Sequence, residues 1–355
     1  LEYVIIAIIM FGVLIAIHEL GHFLTAKLLG VRVNEFAIGM GPRIFHKKGK
    51  ETDYSLRLFP VGGYCAMEGE DEDSGDPKAF CVQPAWKKFI ILVAGSFMNL
   101  LLGFVIILVL FAQATEFHEP VISGFYDGCP YESAEGLQVG DRILMVDGER
   151  IYNVSDLTLL FSRITDGTAD FVLERGGEKV ILNDFPFTLQ QYTDESGAAV
   201  TKYGLKFENT VKATVWTKFQ QSCLYTVDVV RTVRLSLSDL ITGAVGLRDL
   251  SGPVGIVDMM SQVGTAAATT QEAVFSELSF CAMLAVNLAV MNMLPIPALD
   301  GGRIFFLLVN GIYTVITKRK LNPKYENALN AGCFMLLLLL MAVVAVSDVL
   351  KIAGV

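Results

Sequence analysis

Residues 3–29 are apolar at almost every position, yet three ionisable side chains interrupt the second half of the run, in His18-Glu19-Leu20-Gly21-His22. Three further stretches reach the roughly 20 residues that a helix needs to cross a bilayer. Residues 89–112 are nearly uncharged, residues 274–297 carry Asn287 and Asn292 and end in prolines, and residues 327–346 contain an unbroken run from Leu336 to Leu340. The pattern predicts an α-helical polytopic membrane protein with four transmembrane helices. Between the first two spans the periodicity changes. Residues 33–38, 43–46 and 54–59 have strand character and are separated by Gly39, Gly41-Pro42 and Gly49, with Gly62-Gly63 closing the last. Further on, Phe219, Cys223, Val227, Val230, Val233 and Leu237 recur near helical spacing with charges between them. They predict an amphipathic helix, lying either on the outer membrane surface or against a neighbouring domain.

Composition agrees with this class, at 53% hydrophobic and 18% charged residues. Lys27, Lys47, Lys48, Lys50, Lys87 and Lys88 flank the first loop, and Lys318, Arg319, Lys320 and Lys324 fill the loop before the last span. By the positive-inside rule both loops are cytoplasmic, which places both termini and residues 116–208 outside. That outer segment holds 17 acidic and 7 basic residues. With a net charge of −9 and no basic patch, the chain offers nucleic acid no surface. A cleavable signal peptide over the first span is disfavoured, because no small-residue cleavage site follows and the apolar run continues past the histidines. The chain opens on Leu1 rather than Met, so its natural start is left open. Six scattered cysteines without a C-x-x-C pair argue against a disulfide framework or a cysteine zinc site.

An ionisable residue inside a membrane helix costs about 2.5–3.5 kcal/mol on insertion scales and therefore marks a functional site. In H-E-x-x-H the two imidazoles share one helix face at i and i+4, so both can hold one Zn²⁺ while Glu19 stands beside it as a base. His46 and His118 lie in loops on opposite sides of the membrane, which leaves a carboxylate as the third ligand. Asn292-Met293-Leu294-Pro295-Ile296-Pro297-Ala298-Leu299-Asp300-Gly301-Gly302 supplies it. Two prolines break the helix, the glycines are expected to release the chain into a tight turn, and Asp300 projects from the broken segment. The first and third spans both run inward and place their polar cluster late, so His18, His22 and Asp300 are expected to meet toward the cytoplasmic side. Two histidines and a carboxylate leave one coordination position open, the catalytic pattern.

A first-span H-E-x-x-H, a late N-x-x-P-x-P-x-L-D-G-G and an intervening outer domain resemble the bacterial site-2 proteases, in particular the regulator of sigma-E protease (RseP) type with one PDZ domain. The resemblance implies an intramembrane zinc metalloprotease of the bacterial inner membrane. Such enzymes cut transmembrane segments of anti-sigma factors or remnant signal peptides in regulated intramembrane proteolysis. By motif position, His18, His22 and Asp300 correspond to the zinc ligands, Glu19 to the catalytic base, and Asn287 and Asn292 to substrate-handling asparagines. Where relatives often read A-G-P-x-x-N, this chain reads Ala94-Gly95-Ser96-Phe97-Met98-Asn99, which leaves the role of Asn99 open.

A helical substrate hides its scissile bond in i to i+4 hydrogen bonds and must be extended before attack. The amides of Asn287 and Asn292 can replace lost backbone bonds, and an edge of the 31–88 β-loop can pair with the extended peptide. The acidic run at 68–76 is expected to be a solvated loop without chemistry. Outside, residues 133–148 resemble a PDZ core, with 121–125 as the strand lining its peptide groove. That module either binds extended peptide ends or excludes bulky ectodomains. Ser251-Gly252-Pro253-Val254-Gly255-Ile256 is a family-like string of no assigned role.

The expected layout is a first helix at 1–30, a cytoplasmic β-loop at 31–88, a second helix at 89–112 and a PDZ domain at 113–210. Connecting helices follow at 211–272, then a third segment at 273–317 and a loop with the fourth helix at 318–355. A catalytically silent peptide-binding scaffold and a transporter are the rival readings. The intact His18, Glu19, His22 and Asp300 favour the enzyme over both, and the absence of paired half-repeats argues against transport.

Overall fold

A computed structural model describes residues 2–70, 74–193, 199–246, 250–266, 268–319 and 323–353. Leu1, Asp71, Glu72 and Asp73 of the acidic run, and Lys320 of the last basic loop lie outside the described residues. The chain divides into two compact units, one of residues 1–106 with 233–355 and one of residues 107–232.

The first unit opens with α1 (Glu2–Leu28), β1 (Val33–Lys48), β2 (Asp53–Met67) and α2 (Ala85–Ala112). The second carries β3 (Glu116–His118), β4 (Gly124–Phe125), β5 (Arg142–Val146), β6 (Glu149–Arg150), α3 (Val154–Phe161), β7 (Thr168–Arg175) and β8 (Glu178–Pro186). It continues with β9 (Gln190–Thr193), β10 (Ala199–Lys202), β11 (Leu205–Lys206) and β12 (Thr210–Lys212). Then come α4 (Val215–Thr242), α5 (Pro253–Ala266), α6 (Thr270–Asn292), α7 (Asp300–Thr317) and α8 (Pro323–Ile352). Among the described residues, four helical stretches are long and apolar enough to cross a membrane: Val4–Leu28, Ala85–Ala112, Thr270–Asn292 and Ala328–Ile352. All four expected spans are present. The expected third segment at 273–317, however, is two helices separated by the Pro295–Pro297 break, and α7 is not one of the membrane-length apolar stretches.

Small residues let these helices approach closely. Ala7, Met10 and Leu14 of α1 pack with Met260 of α5 and with Leu284 and Ala285 of α6. Farther along both helices His18 lies beside Asn292, so α1 and α6 run in the same direction. A Cβ on Gly103 of α2 would meet Val286 Cγ2 at 2.6 Å, and one on Gly21 of α1 would meet the Ala94 carbonyl oxygen at 2.4 Å. Only glycine permits those crossings.

The β-loop departs from the three strands predicted. β1 and β2 are long, bulged strands whose register shifts repeatedly, so that Phe36 faces Cys65 on one side and Tyr54 on the other. Gly39, Gly41 and Gly62 separate the paired segments without ending the strands, sitting inside them at φ +84°, +86° and +95°. Glu35 ties the folded sheet together by accepting from Ser55, Arg43 and Arg57. Burial raises its pKa, but the hydrogen bonds from Ser55, Arg57, Tyr64 and Arg43 outweigh that and hold it down to about 2.

In the second unit β6, β5, β7 and β8 form one four-stranded antiparallel sheet, with Ile143, Val146, Phe171 and Leu173 buried. The strand expected at 121–125 is not an open groove edge. Ile122 donates to the Asp141 carbonyl on one side, while Ser123 donates to the Lys206 carbonyl on the other, and β4 pairs with β11. The amphipathic helix is present as α4, which turns part of its apolar stripe outward and a polar face inward. Phe219 and Val227 of the predicted apolar stripe are exposed, and Ser222, Thr226, Asp228 and Arg231 are buried. The inward face is polar because it carries an ion-pair cluster, which the apolar periodicity alone could not reveal.

Candidate active site

α1 has no proline and runs unbroken through the H-E-x-x-H segment, so the i, i+4 spacing sets the two imidazoles one turn apart. Their ring centroids are 4.7 Å apart at 84°, and their Nε2 atoms approach to 3.1 Å. His22 Nδ1 donates to the Ile91 carbonyl of α2 at 2.8 Å, which fixes the tautomer and leaves the Nε2 lone pair facing inward. Asp300 arrives from the other side of the fold as the first residue of α7. Its Oδ2 lies 3.1 Å from His18 Nε2 and 3.2 Å from His22 Nε2. The ligand atoms of His18, His22 and Asp300 all fall within 4.8 Å of one another, so three residues separated by up to 282 positions in sequence converge.

The break between α6 and α7 makes this possible. Ala298 adopts φ +76°, and Leu299 leads into α7 without a side-chain cap. Gly301 and Gly302 do not form the expected tight turn. Both are helical, and a Cβ there would meet the carbonyl oxygens of Leu294 and Met293 at 2.3 Å or of Ile296 at 2.2 Å. Their role is close approach: the first turn of α7 lies directly against the broken segment, which aims Asp300 at the histidines.

The donor set fits a zinc ion. Two imidazole nitrogens and a carboxylate oxygen are a catalytic zinc set. Besides the two imidazole Nε2 atoms, Asp300 Oδ2 has no hydrogen-bond donor, so the three groups converge on one another as a ligand set converges on a shared ion. Gly95 of α2 completes the cradle, since a Cβ there would stand 2.4 Å from His22 Nε2 and 2.7 Å from His18 Cε1.

Around this cluster is a cleft of about 580 Å³, lined among others by Glu19, Tyr64, Cys65, Ala66, Met67, Asn99, Asn292 and Asp300. Glu19 lies on α1 between the two histidines, and a Cβ on Gly63 of β2 would be 3.6 Å from its Cγ. Asn292 lies 3.5 Å from His18 Nδ1, close enough to orient that ring as well as to face the cleft. Asn287 is half-buried on α6 and is not among the residues that line the cleft. Asn99 is buried in the lining with its Oδ1 unpartnered. The acidic run is not wholly solvated: Glu70 pairs with Arg303 of α7, and both line the cleft. Sequence reasoning gave no role to Gly21, Gly95 or the Glu70–Arg303 pair. For the glycines, the available signal was small residues at crossing depth in two apolar helices.

The model of peptidase family M50 matches residues 6–340. The chain belongs to peptidase family M50. A protein of Clostridium perfringens, provisionally named a zinc metalloprotease, is 35% identical over 98% of both chains. Zinc metalloprotease RasP of Shouchella clausii is 30% identical over 97% of this chain and 98% of its own. Regulator of sigma-W protease RasP of Bacillus subtilis is 28% identical over 98% of both. This membership makes the chain a site-2-type zinc metalloprotease with a multi-pass membrane core, and zinc its cofactor.

Proposed function

We propose that this protease hydrolyses peptide bonds within transmembrane segments, with His18, His22 and Asp300 as the zinc ligands and Glu19 as the catalytic base. One observation carries the reading: Glu19 and a convergent two-histidine, one-carboxylate set share a cleft walled by membrane-length apolar helices. Zinc, when bound, polarises the scissile carbonyl and acidifies the attacking water. Glu19 takes that water's proton and returns it to the leaving amine. Asn292 steadies His18, and its amide offers donors and an acceptor to a substrate that has lost its helical hydrogen bonds, while Asn287, outside the cleft lining, would meet the substrate only farther along α6.

The substrate must also be held extended. Residues 63–67 pair with 33–38 on one side, and Tyr64 to Met67 line the cleft, so this strand is placed to add the substrate as a neighbouring strand. Anti-sigma factors and remnant signal peptides are the substrate class, in keeping with the relative named a regulator of sigma-W protease. Loop charges put both termini and the second unit outside the bacterial inner membrane, with the active site toward the cytoplasm. The second unit is proposed as a PDZ module whose peptide edge is β11, entered from Tyr203, which donates to the Phe161 carbonyl of α3, rather than residues 121–125. Its role is to exclude bulky ectodomains. Excising residues 119–207 should then permit cleavage of untrimmed substrates, whereas loss of cleavage of trimmed ones means that it recruits.

Glu19→Gln is the decisive test. It keeps size and reach but cannot accept a proton, so cleavage should fall by about 10²–10⁴ while zinc stays bound. Wild-type turnover in that variant excludes Glu19 as the base, and loss of zinc makes it a ligand instead.

A further inference from the structure

The broken segment poses a hydrogen-bonding problem that α8 solves. Between Met293 and Leu299 the non-proline N–H donors are those of Met293, Leu294, Ile296, Ala298 and Leu299. Met293 donates to Val290, Leu294 to Met291, Ile296 to Leu294 and Leu299 to Ile296, all carbonyls of α6 or of the segment itself. Ala298 alone turns to another helix: its N–H donates to Asn330 Oδ1 of α8 at 3.2 Å. Ala298 is also the residue at φ +76°, two positions before Asp300, and it lines the cleft. An unpaired backbone N–H is costly away from water, and Asn330 gives this half-buried one a fixed acceptor that favours the observed conformation.

We propose that Asn330 is a positioning residue for the metal site, fixing the left-handed turn at Ala298 and thereby the aim of Asp300. The inference rests on Asp300 being a zinc ligand. Among the described residues, the hydrogen bond of Asn330 is to the turn and not to the metal ligands or Glu19. Without the acceptor, the Ala298 amide loses the one side chain that fixes its direction, and the aim of Asp300 loosens with it. Residues that orient metal ligands from outside the coordination sphere typically contribute about 10–100-fold in metal affinity.

The test uses the full chain in detergent. Asn330→Leu keeps the volume and removes the acceptor, Asn330→Asp restores one, and Leu336→Ala is a control in the exposed apolar run of α8. Zinc release to a chelator and the visible spectrum of the Co²⁺-loaded protein are read beside cleavage. Asn330→Leu should release zinc about tenfold faster and shift the Co²⁺ bands, while Asn330→Asp and Leu336→Ala stay near the parent. If Asn330→Leu does not fold, Asn330→Ala takes its place with the same expectations. Parent-like zinc release and Co²⁺ bands in the acceptor-free variant, whatever its cleavage rate, overturn the inference and leave Asn330 a packing contact. If Asp300→Ala keeps zinc as tightly as the parent, the ligand assignment fails first, a result distinguishable from failure at Asn330.

Discussion

The cluster of His18, His22 and Asp300 in one unit and the cluster of Asp156, Asp228 and Arg231 in the other both bury carboxylate on helices, but only the second contains its own cation. Arg231 lies 2.7 Å from Asp156 Oδ1 and 2.5 Å from Asp228 Oδ1, and it also donates to the Arg150 carbonyl. Asp156 further accepts from the Tyr152 and Asn153 backbones, closing a capping box at the start of α3. That network carries its own permanent cation and joins α4 to α3, although Asp156 Oδ1 and Arg231 Nε have no hydrogen bond beyond the ion pair. The histidine–aspartate cluster holds no permanent cation: Asp300 Oδ2 faces two imidazole nitrogens, and those nitrogens face each other. Burying charge requires compensation. Where the sequence supplies the compensating cation, the result is a structural clamp; where it supplies only ligands, the result is a site that needs an ion from outside.

The largest effect should come from filling the space that ion requires. Gly95→Ala puts a methyl group 2.4 Å from His22 Nε2, against ring atoms held by the Ile91 carbonyl, so neither imidazole can yield far. Zinc content by mass spectrometry should drop from about one per chain to a small fraction, with cleavage abolished, as for His22→Phe. Full zinc occupancy in Gly95→Ala means the ion sits elsewhere and the contrast with the arginine cluster collapses.

Removing the internal cation should act on stability and leave the metal alone. Arg231→Met strands two buried carboxylates, a change that costs about 3–5 kcal/mol when a buried pair is broken. Hydrogen exchange across α3 and α4 should accelerate sharply, while zinc content and Co²⁺ spectra stay unchanged. Unaltered exchange in both helices counts against the clamp.

The difference between the clusters also explains what was legible in the chain. H-E-x-x-H and N-x-x-P-x-P-x-L-D-G-G stand out because apolar sequence surrounds them, and ionisable groups in such a background have few purposes. The four spans follow from length and hydropathy for the same reason. Asp156, Asp228 and Arg231 sit among other charges, 72 and 3 positions apart, and nothing in their spacing distinguishes a buried pair from a solvated one. The apolar positions of α4 were visible, but the direction they face depends on a polar network that forms only in three dimensions. Gly301-Gly302 resembles a turn in sequence and is a close helix contact in space, because proximity to the Leu294 and Ile296 carbonyls is a tertiary fact. The β-loop was recognisable as strand, but not its doubled pairing, which depends on bulges at Gly39, Gly41 and Gly62.

The smallest effect tests how well Arg231 balances two carboxylates. One cation beside two anions leaves a surplus negative charge, and the burden falls on Asp228. Burial raises its pKa, hydrogen bonding and repulsion from Asp156 raise it further, and Arg231 offsets only part, leaving it at about 7. A carboxyl whose folded pKa lies above its unfolded value stabilises the fold fully below the unfolded value. That contribution is lost as pH rises through the folded one. The second unit should therefore weaken between about pH 4 and pH 7 through this group. Asp228→Asn imitates the protonated form, so its melting temperature should exceed the parent's by about 2–4 °C at pH 8. The gap should shrink toward pH 5, with exchange at the α3 amides following the same trend. A gap that is constant with pH means that Asp228 is ionised throughout and that Arg231 neutralises both carboxylates, which would make the clamp as fully compensated as a zinc-loaded site.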